Sequence, residues 1–143
     1  MKNCTLAAAL FFLAATTLPA QSPAHNHLVK GDKQYDQGNY AAAENAYRQA
    51  PGDAQANFNA GNAAFQQGKF EPAVKYYEAA LSRQQANKST NPQQADTWFN
   101  LGNAYLRLGK YREAVGAYQK SLRLQSTLPH TKKNLQTPPN KLN

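Results

Sequence analysis

The sequence predicts an all-α protein, a solenoid of about three helix-turn-helix units followed by a short C-terminal capping helix. Three observations predict it. The run Phe58-Asn59-Ala60-Gly61-Asn62-Ala63 returns 41 residues later as Phe99-Asn100-Leu101-Gly102-Asn103-Ala104. The same offset lays Gly68-Lys69-Phe70-Glu71-Pro72-Ala73-Val74 over Gly109-Lys110-Tyr111-Arg112-Glu113-Ala114-Val115, and Tyr77 over Tyr118. Within the last copy Tyr111, Ala114, Val115, Tyr118 and Leu122 recur three and four apart, which draws one apolar stripe along a helix. A chain of 143 residues has room for one such domain. Its mean hydropathy of -0.74 would suit a disordered chain, but 13 aromatics beyond residue 20 supply a core.

The chain opens with Lys2 and an apolar run from Leu6 to Leu18, then Pro19, Ala20 and polar Gln21 and Ser22, the pattern of a secretory signal over residues 1–20, cut after Ala20 or at a neighbouring site, with an uncleaved anchor as the alternative. The run is too short for a membrane-spanning helix, which needs about 20 apolar residues. Cys4 would leave with the signal, so the exported chain would have neither disulfide nor thiol chemistry. Residues 21–27 are expected as a flexible leader, and His25 and His27 in it are too few ligands for a metal.

The first unit, about 28–53, keeps Gly31, Gly38-Asn39-Tyr40, Ala43 and Tyr47. The second spans about 54–90 and the third about 91–127, each with a helix, a turn at glycine (Gly38, Gly68, Gly109) and a second helix. Gly102 and Ala104 mark a close approach of two helices, with the Tyr118 ring filling the space that glycine leaves. Asn91, Pro92 and Gln94 read as a capping box that starts a helix, and Pro72 likewise starts another. Residues 128–136 are expected as the capping helix, with Asn134-Leu135 in the place of Asn100-Leu101, and 137–143 as a disordered tail.

With these residues in place the third unit, Trp98-x2-Leu101-Gly102-x2-Tyr105 followed by Ala114-x3-Tyr118, resembles the tetratricopeptide repeat (TPR) pattern. In the second unit Asn57 stands where the tryptophan would be, while Gly61, Ala73, Tyr77 and Ala80 keep their places. Gly38 to Gly68 is 30 residues and Gly68 to Gly109 is 41, against a repeat of about 34. The shortfall and the excess are close to one and two helical turns, so inward faces stay inward. The deletion falls at Ala50-Pro51-Gly52-Asp53 and the insertion around 82–94.

The resemblance implies a concave groove lined by the first helix of each unit. Asn59, Asn62, Asn100 and Asn103 are placed there to bond the backbone of an extended peptide or to bridge neighbouring helices. Phe58 and Phe99, with Leu28 in line, would form an apolar stripe or pack between helices, and Arg107 with Asp32 and Asp36 would give the groove a charged end of each sign. The carboxylate-clamp TPR proteins hold acidic chain ends with basic residues; at those places this chain has Leu28, Asp96 and Asn100, and only Asn59 agrees.

Of the net charge of +8, residues 106–143 carry +7, through Arg107, Lys110, Arg112, Lys120, Arg123, Lys132, Lys133 and Lys141 against Glu113 alone. The basic patch Lys110, Arg112, Lys120 and Arg123 suits an acidic protein surface or anionic envelope lipid, or is simply solvated; no nucleic-acid motif accompanies it. His130 has no catalytic companion, and no catalytic or cofactor-binding constellation can be assembled, so neither an enzyme nor a cofactor is expected. The sequence is thus read as an exported, periplasmic adaptor that scaffolds an envelope protein complex through its groove, with an anionic-surface binder as the alternative. The leader, the start Gly31-Asp32-Lys33-Gln34-Tyr35, the run from Asn57 to Asn62 and the closing Asn134-Leu135 are similar to the small periplasmic TPR members of bacterial Bat (aerotolerance) operons. That resemblance implies membrane-anchored von Willebrand A-domain proteins as partners.

Overall fold

A computed structural model describes residues 22–86 and 92–127. The expected signal segment, capping helix and tail lie outside them. The described residues form six helices and no strand: α1 (Pro23–Asp36), α2 (Tyr40–Tyr47), α3 (Ala54–Gln66), α4 (Phe70–Ala86), α5 (Pro92–Arg107) and α6 (Tyr111–Thr127). Each helix packs on the next in sequence, and α1, α3 and α5 also touch in series, so first helices make one layer and second helices the other.

One boundary differs from the sequence reading. The residues expected as a flexible leader are, from Pro23 on, the first turns of α1. Ser22 is its N-cap, its hydroxyl accepting from the His25 N–H at 3.3 Å, and Pro23 sits where a missing N–H is no loss. The one-turn deletion appears as a short α2 of 8 residues, against 17 in both α4 and α6. Asn57, standing in for tryptophan, ties down the shortened link: its Nδ2 donates to the carbonyls of Pro51 (2.9 Å) and Asp53 (2.7 Å).

The turns fall at the expected glycines. Gly38, Gly68 and Gly109 have φ of 77°, 72° and 71°, a left-handed conformation that strains any side chain bearing a Cβ. Within each unit a helical glycine faces a tyrosine of the second helix: Gly31 with Tyr47, Gly61 with Tyr77, Gly102 with Tyr118. A Cβ on Gly61 would lie 2.5 Å from Tyr77 Cε1, and one on Gly102 would lie 2.6 Å from Tyr118 Cε1. The core is therefore small residues against rings, with Ala64, Ala73, Tyr77, Leu81, Leu101, Ala104 and Ala117 in its larger cluster.

Candidate functional site

The inner layer positions its polar side chains by a device repeated in each unit. The residue after the helical glycine accepts from the tyrosine that covers that glycine: Tyr47 to Asp32 (2.7 Å), Tyr77 to Asn62 (2.9 Å) and Tyr118 to Asn103 (2.7 Å). The amide two residues before the next unit's glycine then reaches back to the same acceptor. Asn59 Nδ2 donates to Asp32 Oδ1 at 3.2 Å, and Asn100 Nδ2 to Asn62 Oδ1 at 3.0 Å. Burial, together with the bond to Asp32, pushes the Tyr47 hydroxyl above its ordinary pKa, and burial does the same for Tyr77. Both therefore stay protonated donors across the physiological range.

Two adjoining cavities open on this face. One, of about 350 Å³, is lined by Asp32, Tyr35, Asp36, Tyr47, Asn59 and Asn62. The other, of about 280 Å³, is lined by Tyr35, Asn62, Phe65, Gln66, Tyr77, Asn100 and Asn103. Together they bring all four asparagines into one groove across three units, with Asp32 and Asp36 at its α1 end. The asparagines are not equivalent there. Asn59 is engaged at both ends, since its Oδ1 also accepts from Gln55 at 2.9 Å. Asn62 and Asn103 use only Oδ1, so their Nδ2 donors have no acceptor among the described residues, and Asn100 keeps a spare Oδ1.

The other sequence-predicted groove residues are placed as follows. Phe58 packs on the core and on the Tyr77 ring, with centroids 6.2 Å apart. Leu28 is part-buried against the smaller core cluster. Phe99 meets Tyr118 at 5.6 Å but remains 49% exposed. The Arg107 guanidinium stacks 4.7 Å from the Phe70 ring centroid, on α4. Lys110, Arg112, Lys120 and Arg123 are exposed, with Lys120 4.0 Å over the Trp98 ring. Tyr35 and Phe65 were not anticipated in the groove. Their signal was available, because Tyr35, Phe65 and Leu106 each follow the helical glycine by four residues.

Glu44 was also not anticipated. Buried on α2, it accepts from Gln67 (2.9 Å), Tyr76 (3.0 Å) and Lys69 (3.3 Å), joining the first unit to the second. Burial opposes its charge, yet the three hydrogen bonds and the Lys69 ammonium outweigh that and hold its carboxyl below the ordinary value. Among the described residues no three His, Cys, Asp or Glu side chains come together as a metal site.

A family model described as tetratricopeptide repeat matches residues 52–127. Comparison with curated proteins finds no match. Among solved structures, the chain is similar to the N-terminal domain of stress-induced protein-1 (STI-1) from C. elegans, at 22% identity over 78% of this chain and 91% of that one, with a TM-score of 0.67. It is similar to the first TPR of Spaghetti (RPAP3) bound to HSP90 peptide SRMEEVD, at 24% identity over 79% and 87%, with a TM-score of 0.64. The Sgt2 TPR domain from Aspergillus fumigatus is 20% identical over 86% of this chain and 90% of that chain, with a TM-score of 0.63. These likenesses show the fold.

Proposed function

The chain belongs to the tetratricopeptide repeat family, and from that premise we propose that it is an exported, non-enzymatic adaptor that binds an extended segment of a partner envelope protein in the groove of α1, α3 and α5. Domains of this family are peptide-binding modules of protein assembly, and mechanism in such a module is geometry and mass action. The observation that carries the reading is the set of unused amide groups. Asn62, Asn100 and Asn103 line one cavity with Tyr35, Phe65, Gln66 and Tyr77, and among the described residues the Nδ2 of Asn62 and of Asn103 has no acceptor and the Oδ1 of Asn100 no donor. Such groups suit main-chain carbonyls and N–H groups of a segment while the rings take its apolar side chains.

The acidic peptide SRMEEVD bound by the Spaghetti repeat is not the ligand class this groove favours. Asp32 and Asp36 stand at one end of it and the one cation expected in it, Arg107, is stacked on Phe70. The apolar run at residues 6–18 supports export to the periplasm, and the similarity to Bat-operon members makes membrane-anchored von Willebrand A-domain proteins the first partners to try. The second reading, attachment to anionic envelope lipid, is supported by the +7 charge of residues 106–143.

Site-specific photocrosslinking in intact cells tests the two. A crosslinking residue at Gln66, which lines the groove, is expected to capture an envelope protein, and to keep doing so at about 0.3 M salt, where the screening length is only several ångströms. One at Arg112 on the basic face is expected to capture none. Capture confined to Arg112 and abolished by salt would replace the groove by the charged surface.

A further inference from the structure

We infer that the chain has a second binding site, on the layer of second helices: the slot between α4 and α6 takes an arginine side chain of a partner protein, seated between the Trp98 ring and the carboxylates of Glu78 and Glu113. A cavity of about 350 Å³ opens there, lined by Glu78 of α4, Trp98 and Tyr105 of α5, and Glu113, Gly116 and Lys120 of α6. Both carboxylates bear on one hydroxyl. Tyr105 donates to Glu78 Oε1 at 2.8 Å, and burial, that bond and the charges of Glu78 and Glu113 push its pKa up to about 12. Among the described residues neither Glu78 nor Glu113 has an ion-pair partner.

The slot already holds a cation of its own. The Lys120 ammonium lies 4.0 Å over the Trp98 ring instead of on either carboxylate, so the indole face is an accessible seat for positive charge. Comparison of consecutive units shows that the space is left open by the sequence. Between the first two units Tyr76 of α4 packs on both core clusters and donates to Glu44 at 3.0 Å. Its equivalent 41 residues on is Ala117, and that of Lys75 is Gly116, so α6 sends no large side chain into the slot from these two places. A glycine inside a helix weakens it relative to alanine. A Cβ on Gly116 would meet nothing within 4 Å, so no contact of the described chain calls for glycine there. A guanidinium suits these walls better than an ammonium, because its planar fork stacks on an indole while bonding a carboxylate through two parallel N–H groups. Glu78, Glu113 and Lys120 are exposed, so the slot takes the end of a side chain, whereas a small-molecule site buries most of its ligand. Apart from Lys120 it shares no wall with the basic patch, and it shares none with the two groove cavities.

Trp98 is the only tryptophan of the chain and lines the slot, so its fluorescence reports occupancy. N-acetyl-arginine amide titrated into the full chain is expected to change that emission saturably, with a Kd on the order of millimolar, and the neutral isostere N-acetyl-citrulline amide to leave it unchanged. Glu78→Gln with Glu113→Gln should weaken the binding about fivefold or more. Lys120→Met should instead tighten it about threefold or more, because it removes the cation that competes for the ring, a gain that no loss of folding can imitate. Equal responses to the arginine and citrulline amides, or a Lys120→Met variant that binds no tighter than the parent, would overturn the assignment. Agmatine, a free cation with the same head group, is expected to bind within a few fold of the capped arginine. Agmatine binding about tenfold tighter would overturn the partner side chain in favour of a free amine.

Discussion

Substituting Gly61 by alanine adds one methyl group at a position where a Cβ would be 2.5 Å from Cε1 and 2.7 Å from Cδ1 of Tyr77. The ring cannot yield easily, since Tyr77 is 1% exposed, packs against Phe58 and is held at its hydroxyl by Asn62. Overpacking of this kind costs about 1–3 kcal/mol. Displacing the ring also loosens the Tyr77–Asn62 bond, worth about 0.5–1.5 kcal/mol. Against these stands the better helix propensity of alanine, about 1 kcal/mol. The net expectation is a loss of about 2 kcal/mol. Gly116→Ala is the matched control, because it lies in α6 with nothing within 4 Å of its Cβ. There only the propensity acts, and a gain of about 0.5–1 kcal/mol is expected. Urea unfolding followed by circular dichroism at constant m-value reads both. If Gly61→Ala were as stable as the parent, the helices would not approach as closely as the structure has them.

Gly102→Leu should unfold the last unit, although Tyr118 is less buried than Tyr77 and yields more, so Gly102→Ala should be milder than Gly61→Ala by melting temperature. Tyr77→Phe removes only the hydroxyl and should cost about 0.5–1.5 kcal/mol in urea unfolding. Glu44→Gln should cost about 1–3 kcal/mol at neutral pH. Because the Glu44 carboxyl is held below its ordinary value of 4.5, its contribution is complete above that pH and is lost as pH falls through the folded value. The stability gap between parent and variant should therefore close on acidification below about pH 4.5, and a gap that widened in acid would reverse the sign of the argument.

The period made much of this legible. Helix pairs, turn glycines and the glycine–tyrosine contacts follow from an offset of 41 residues, because a packed repeat needs the same small and large residues at the same places. What the period did not carry is which neighbour each polar group chooses. Asn59 and Asn62 read alike in sequence, yet one is closed by Asp32 and Gln55 and the other lines the cavity with an Nδ2 that has no acceptor among the described residues, a difference set by residues up to 38 positions away. Glu44 gave no local sign, because its partners come from 23 to 32 residues downstream. The start of α1 was obscured by its position directly after the expected signal segment, although Ser22-Pro23 is a sound helix start. The charge of Arg107 is legible in the sequence, but not that its guanidinium stacks on the ring of Phe70, 37 residues upstream and on the neighbouring helix pair.

The central claim is that the unused amides of the groove hold the partner. Once crosslinking has defined the bound segment, its affinity as a peptide for the parent and for Asn62→Ala with Asn103→Ala is the most direct measurement. Two lost bonds of about 0.5–1.5 kcal/mol each predict a weakening of about tenfold or more, little changed between about 0.1 and 0.3 M salt. Asn59→Ala with Asn100→Ala should act more on stability, because both amides bridge adjacent helices. An affinity for the folded Asn62/Asn103 variant within about twofold of the parent, together with its loss on neutralising Lys110, Arg112, Lys120 and Arg123, would contradict the groove and favour the basic face.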